Sequence, residues 1–577
     1  MNFLIDNFKH LTTTPENVEQ LKKLVLQMAV QGKLTSQWRD ANPDVEPASG
    51  LLEKIKAEKE KLITEGKIRS QKPLPQIAHE EKPFELPENW IWVRLIDYGL
   101  TNTGTTPSKN NPEYFGKDYS FVKPAEISYN GINYDTDDGL TDLGLTQARL
   151  IPKNSVLMVC IGGSIGKCYY TVQDVSCNQQ INTITPLGLI SSVFLNLFLQ
   201  SDYFQDTVWG KASGGTTPII NKGKWERIPL PLPPHAEQQA IVSQVEKLFI
   251  QIDQLHALAQ KRLNYREKSA KALFSKINHS ENNTELQETW QTLTAHFHTL
   301  TQSKESVKQL RQSILQMAVQ GKLTAKWREE NPDVESVTDL YEKIKIENEE
   351  IKSKYNLRNQ KTLLEISEDE KLFQTPDSWA WFRLGKLFYT TSGGTPTRGN
   401  TDYWDGNIPW LKSGELTDGL ITKEAEEKIT ELGHKKSSTN LFPKDTLLIA
   451  LYGATAGKLG ILTYPSTTNQ AICGFYANSN IETDYLFYYL WAFRSKILSD
   501  SWGQAQPNIS QDYLKKFCFA LPPHEEQKAI VSKVKQLMAW CDELEKKIEK
   551  RDVYQAKMMQ AVVKQAFKTE KETVEME

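Results

Sequence analysis

The chain has 577 residues, more than a single core usually fills, so several domains are expected. Hydrophobic residues make up 39% and charged residues 24%, an ordinary globular balance; at a net charge of −3, any nucleic-acid partner needs positive charge that is local or supplied by another subunit. No apolar run reaches the roughly 20 residues of a membrane span, the opening MNFLIDNFKH is not a signal peptide, and six cysteines without a disulfide-like framework suit a reducing cytoplasm.

Leu21, Leu24, Val25 and Met28 recur at helical spacing, with Asn17 or Thr14 placed to cap that helix and Gly32 to end it. A turn at Asn42-Pro43 precedes a charged helix over about 49–65, whose Lys/Glu run reads as a solvated face. The Pro-rich stretch 69–88 is a connector. Over 87–234, short β-like runs at 155–161 and 168–172 alternate with Gly, Pro, Asn and Asp clusters, interrupted by one helical segment at about 191–204. This predicts a compact α/β domain. A long helix over about 236–276 follows, roughly 60 Å at 1.5 Å per residue. Its Ile241, Val245, Leu248, Ile252, Leu255 and Ala259 keep the alternating 4-3 spacing of a coiled-coil seam, and its length requires another helix to pair with. Residues 278–301 then lapse into a polar pattern.

The second half repeats the first. LQMAVQGKLT at 26–35 returns at 315–324, a shift of 289 positions that also relates NPDVE at 42–46 to 331–335 and LPPH at 232–235 to 521–524. Pro87, Trp90, Trp92 and Leu95 meet Pro376, Trp379, Trp381 and Leu384 at that same shift. The seam returns as Ile530, Val534, Leu537, Cys541, Leu544 and Ile548. The expected domains are therefore 1–86, helical; 87–234, α/β; 235–375, the long helix plus the second copy of the short helices; 376–523, α/β; and 524–577, the closing long helix. The fold class is α+β multidomain: two α/β domains separated by long antiparallel coiled-coil helices, in a pseudo-two-fold, circularly arranged repeat.

The helical parts agree almost letter for letter, but the α/β domains share only anchors. Gly104-Thr105-Thr106-Pro107 matches Gly393-Gly394-Thr395-Pro396. Pro152, Gly166-Lys167 and Asn178-Gln179 match Pro443, Gly457-Lys458 and Asn469-Gln470 at a shift of 291, so two residues are inserted before Pro443. A constant frame carrying two variable loop sets suits bipartite recognition.

The paired LPPHxEQxAIV motifs at 232–242 and 521–531, the twin AVQGKLT segments and the two Gly-Thr-Pro loops resemble the specificity subunit of type I restriction–modification systems, over about residues 15–565. The resemblance implies a non-catalytic subunit whose two target-recognition domains each read half of a split, asymmetric double-stranded DNA sequence. It implies that the helical regions space the half-sites and dock two methyltransferase subunits, and that a restriction subunit, the translocase, joins them. S-adenosylmethionine, ATP and magnesium would act in those partners, with no cofactor or metal in this chain. Half-site centres on one face of B-DNA lie about 34 Å apart, a spacing a rigid helix pair can set. Base reading needs donors and acceptors on loops. The first domain offers Thr105, Thr106, Lys109 and Asn110, then Thr216, Thr217, Asn221, Lys222 and Lys224. The second offers Thr395, Thr397, Arg398 and Asn400, then Gln504, Gln506, Asn508 and Gln511. Acidic residues outnumber basic ones in the first domain and equal them in the second, so phosphate neutralisation falls largely to the partners.

Other readings are weaker. Residues 162–167 fail as a phosphate loop, because its first glycine falls on Ile161 and Cys168 stands where Ser/Thr must hold magnesium. Asn111-Pro112-Glu113-Tyr114 lacks the second proline of an amino-methyltransferase motif. Asp333 with Glu350-Ile351-Lys352 has nuclease letters on a charged helix whose first copy lacks them. Cys160, Cys168 and Cys177 lack zinc spacing, Cys541 falls on the seam, and His235 and His524 read as packing or capping residues. An assembly scaffold and a specificity module of another nuclease type are the alternatives.

Overall fold

The computed structural model describes residues 12, 14–70, 74–280, 283–501 and 508–565. The chain divides into two compact units, Met1–Asn264 with Arg551–Glu577, and Tyr265–Lys550.

In the first unit, α1 (Pro15–Val30) starts at Thr14, whose side chain accepts the Asn17 N–H, so Thr14 serves as the cap. The helix buries Val18, Leu21, Leu24 and Val25, each worth about 1.5–3 kcal/mol relative to exposure. It gives way to a turn at Gly32, where φ is 69° and an added Cβ would meet the Pro87 ring at 2.6 Å. Conformation and space both require glycine there. α2 (Ala48–Thr64) buries Ala48, Leu51 and Ile55 and leaves most of its charges outward.

The α/β domain carries a four-stranded antiparallel sheet in the order Gly99–Thr103, Ile181–Pro186, Val156–Val159, Cys168–Tyr170. A second sheet joins Gly139–Leu140, Phe115–Val122 and Ser176–Cys177. Ile91–Arg94 pairs antiparallel with Pro229–Leu232, so the domain's two ends lie together. The single helical segment expected at 191–204 is two helices, α3 (Ser192–Leu199) and α4 (Asp202–Lys211). The Ser201 hydroxyl accepts the Phe204 N–H and caps a new helix, which breaks the run.

α5 (His235–His279) carries the first seam. Ile241, Val245, Ile252 and Ala259 are buried and Leu248 and Leu255 half-buried, in one core with α1 and with Met559. The short helix α1 and Met559 of the closing helix thus both pack with this seam. Lys22 reaches Asp253 at 2.7 Å and lies 5.7 Å from the Phe249 ring centroid. The two apolar stripes share one period, which lets α1 pack along the seam.

In the second unit, α6 (Asn283–Leu300) occupies the stretch expected to be a polar lapse. Leu293 and Leu300 are buried and Phe297 half-buried, in one core with Phe274 and Ile277 of α5. Their i, i+4, i+7 spacing gives a narrow apolar stripe on an otherwise polar helix. α7 (Lys304–Val319) and α8 (Val337–Lys354) repeat α1 and α2, α9 (Thr483–Ala492) packs its buried Tyr485 and Tyr489 in the domain core, and α10 (His524–Gln565) is the closing helix. Ion pairs Lys304–Glu549 at 2.6 Å and Arg311–Asp542 at 2.6 Å run in opposite numerical senses, so α7 and α10 are antiparallel. Along α10, Ile530, Val534, Cys541 and Ile548 are buried and Leu537 and Leu544 half-buried. Cys541 and Ile548 share a core with Phe274 and Ile277, which gives the long helices a common apolar layer in this unit. The second α/β domain has a sheet in the order Thr390–Ser392, Ile472–Phe475, Leu447–Ala450, Leu459–Leu462, Gly419–Ile421; the last strand is parallel to its neighbour.

Candidate nucleic-acid interface

Each α/β domain is fixed to its helices by one buried carboxylate. Thr35 Oγ1 donates to Glu237 Oε1 at 2.7 Å, Arg39 Nη1 to the same oxygen at 2.5 Å, and Trp90 Nε1 to Oε2 at 2.7 Å. In the second unit Thr324 donates to Glu526 Oε1 at 2.7 Å, Trp379 to Oε2 at 2.8 Å, and Arg328 pairs with the same carboxylate. Both glutamates are fully buried, and all three donors belong to the repeated letters. The repeat therefore builds a joint that holds the first strand of the domain against the start of the long helix. Buried charge of this kind persists only when paired and hydrogen-bonded.

From that joint the first domain raises four segments that meet at one edge. The Gly104 N–H donates to Ile181 O at 3.0 Å and the Thr105 N–H to Cys177 O at 2.9 Å, tying the Gly-Thr-Pro loop to the Asn178-Gln179 turn. Thr106 Oγ1 donates to Gln179 Oε1. Ile161 bridges Ile219, and the Gly162 N–H donates to Pro218 O at 2.9 Å, which brings in the 161–167 turn and the 213–219 loop. The 162–167 stretch links the antiparallel strands Val156–Val159 and Cys168–Tyr170, a hairpin turn and not a phosphate loop. Arg149 Nη1 reaches Asn102 Oδ1 at 2.9 Å and Thr103 O at 3.3 Å, next to Gly104.

The second domain repeats this edge with other side chains. The Gly394 N–H donates to Thr468 O at 2.9 Å, Thr395 Oγ1 donates to Gln470 Oε1, Tyr452 bridges Asn508, and the Ile509 N–H donates to Leu451 O at 2.7 Å. Asn440 takes the place of Arg149, giving Nδ2 to Ser392 O at 2.9 Å. Arg398 lies 4.0 Å from the Trp404 ring centroid and 4.8 Å from that of Trp410, and pairs with Glu427. That guanidinium, then Lys412, holds the Glu427 carboxyl below the usual glutamate range. The residues around the two-residue insertion also face this edge, since a Cβ on Gly394 would come within 2.5 Å of the Ser438 hydroxyl.

The candidate readers are thus of two kinds. Thr105, Lys109, Asn110, Thr216, Thr217 and Thr397 are exposed or nearly so at the edge. Several others hold the fold. Asn221 caps a short helix through the Lys224 N–H at 2.8 Å, Lys222 pairs with Glu226 at 2.7 Å, and Lys224 Nζ donates to Lys211 O at 3.0 Å. Asn400 accepts the Asp402 N–H at 3.1 Å, and Gln511 donates to Thr390 O at 2.7 Å. Gln504 and Gln506 lie outside the described residues. Sequence reading missed Gln179, Gln470 and Arg149 as edge residues. The recurring Asn-Gln pair was the available signal, taken there as a fold anchor. An apolar cavity of about 380 Å³ in the second unit is lined by Phe274, Trp290, Phe297, Ile314 and Trp540 and lies away from this edge.

Gly104 has no room for a side chain. A Cβ there would lie 2.1 Å from Asn178 O, and one on Gly393 2.3 Å from Asn469 O. Gly104→Ala should push the Gly-Thr-Pro loop off its turn while leaving the buried core intact. The expected result is a thermal midpoint within a few degrees of the parent and, in a DNA-binding titration, a loss of binding; unaltered binding would show that the edge tolerates displacement.

A family model described as the type I restriction modification DNA specificity domain matches residues 87–264 and 376–551, both α/β domains with the first part of each long helix. The chain is 28% identical over 557 residues to the EcoAI type I restriction enzyme specificity subunit of Escherichia coli, covering 91% of this chain and 90% of that one. It is 27% identical over 586 residues to the EcoEI specificity subunit of the same species, covering 95% and 94%. Among solved structures, the HsdS subunit from Thermoanaerobacter tengcongensis aligns at a TM-score of 0.39 and 16% identity, over 84% of this chain and 98% of that one.

Proposed function

Because the chain belongs to the family of type I restriction modification DNA specificity domains, matched over most of its length, we propose that it is the recognition subunit of a restriction–modification complex. Each α/β domain reads one half of a split, asymmetric DNA sequence, and the long helices set the gap between halves. The carrying observation is the contrast within the repeat. The Glu237 and Glu526 joints are the same atom for atom, while the loop edges they support differ in charge, length and side chain. A repeated helical frame fits two copies of one partner, and unlike edges fit two different half-sites.

The partners on this reading are two methyltransferase subunits, with restriction subunits added. Chemistry belongs to them, together with S-adenosylmethionine, ATP and magnesium, and the complex works in the cytoplasm. No helix among the described residues is long and apolar enough to cross a membrane, and the six cysteines are free thiols. With no excess positive charge on either domain, the isolated chain binds DNA weakly and gains affinity when the methyltransferase supplies phosphate contacts.

A mobility-shift titration on a mixed DNA pool, using the chain with the methyltransferase encoded beside it, tests this. Selective retention of one split motif is expected. A complex that retains all sequences alike would point instead to an assembly scaffold.

A further inference from the structure

Two features differ between the reading edges, and one does not. Arg149 corresponds to Asn440, and the exposed Lys109 corresponds to an Arg398 held over two tryptophans. By contrast, the threonine–glutamine pair is the same in both domains. Thr106 Oγ1 donates to Gln179 Oε1, and Thr395 Oγ1 donates to Gln470 Oε1. Both glutamines are exposed.

The geometry around each pair is also repeated. Asn178 Oδ1 accepts the Gln180 N–H at 3.0 Å, and Asn469 Oδ1 accepts the Ala471 N–H at 3.2 Å, which closes the turn carrying the glutamine. The Asn178 N–H donates to Val122 O at 3.2 Å and the Asn469 N–H to Leu411 O at 2.9 Å, fixing each turn to the smaller sheet. A glutamine amide has one acceptor end and one end with two donors. With the oxygen occupied by the threonine hydroxyl, the exposed amide offers its NH₂ outward. Freezing a glutamine in this way costs up to about 2 kcal/mol of side-chain entropy, which a group needed only for solvation would not incur.

The two half-sites need share no base except the adenine to be modified, and an amide whose oxygen is turned to a threonine lacks the acceptor half of the paired contact that reads adenine. Both half-sites do share the phosphodiester backbone, whose oxygens only accept. Resting on the DNA-reading function proposed above, we infer that Gln179 and Gln470, each oriented by a threonine of its Gly-Thr-Pro loop, donate to a phosphate oxygen in their respective half-sites. The contact sets the register of each domain on the duplex and carries no sequence information of its own.

The test uses the chain assembled with its methyltransferase and compares the target duplex with an unrelated one, each over a range of salt. The wild-type complex is measured first; if it does not prefer the target, the recognition function itself fails and this contact with it. Given that preference, Gln179→Ala should weaken binding to both duplexes by the same factor, about tenfold for a lost hydrogen bond to a charged oxygen. The salt slope should stay the same, because a neutral amide displaces no counterion. Gln470→Ala should do likewise. Thr106→Val, which removes only the orienting hydroxyl, should give a smaller loss that is again equal on the two duplexes. A loss confined to the target duplex would make Gln179 a base reader and overturn the inference. So would wild-type affinity in Gln179→Ala. Thermal melting of each variant at the wild-type midpoint is the expected control, and a lowered midpoint would reassign the pair to folding.

Discussion

Replacing Glu237 with alanine should unseat the first α/β domain from its helices and cost about 3–5 kcal/mol, the range for breaking a buried ion pair. The carboxylate receives the Thr35 hydroxyl, the Arg39 guanidinium and the Trp90 indole. Alanine leaves all three donors buried or half-buried with no acceptor, one of them charged, and opens a void where the side chain stood. Glu237→Gln should be milder in volume but still severe, since an NH₂ must then face one of those donors. Hydrogen exchange is the suitable measurement because it resolves the damage along the chain. Protection should fall in the helical turns Lys33–Thr35 and Ser36–Ala41, in Ile91–Arg94 and at the start of α5, which meet at the joint. Glu526→Ala should produce the same loss in Lys322–Thr324 and Ala325–Glu330, Ala380–Arg383 and the start of α10. Unchanged protection in either variant would mean that the joint is incidental.

The second large effect concerns specificity. Exchanging residues 87–234 for the corresponding domain of another family member should replace one half of the recognised sequence and leave the other half unaltered. Specific sites typically bind about 10³–10⁷-fold more tightly than non-specific DNA, so the original motif should lose at least a thousandfold in preference. The boundaries suit such an exchange, because Ile91–Arg94 and Pro229–Leu232 are paired strands and both ends of the insert leave from one place. The incoming domain must carry a tryptophan at position 90 to meet Glu237. Selection of bound sequences from a random pool reads the outcome directly. A change in both halves would mean that the two domains do not read independently.

Much of the frame was legible because it rests on local periodicity. The seams from Ile241 and from Ile530 follow heptad-like spacing, and the observed helices His235–His279 and His524–Gln565 carry them. Gly32 read as a helix stop and adopts the left-handed conformation that such a stop uses. The misses arose where local pattern is weak. α6 hides a three-residue stripe, Leu293, Phe297 and Leu300, among polar letters. The break at Ser201 depends on one side-chain cap inside an apolar run. That the first seam shares its core with the short helix α1 as well as with Met559 of the closing helix was not legible, because periodicity shows that a face is covered, not everything that covers it.

The site was legible only as loops. Thr35, Trp90 and Glu237 were all visible as repeated letters, but their meeting joins residues 202 and 147 positions apart and no spacing rule reports it. Gln179 was visible as an anchor, yet its exposed, hydroxyl-oriented amide depends on Thr106, 73 positions away. Arg398 read as a loop candidate for base contact, and in the fold it stacks on Trp404 and pairs with Glu427.

The most direct measurement of the central claim is a genome-wide map of N6-methyladenine in the source cell, with and without this gene. The account predicts that deletion removes methylation from one split, asymmetric motif and leaves all other modified sites in place. A methylation pattern unchanged by deletion, in a cell whose partner methyltransferase is active, would contradict it.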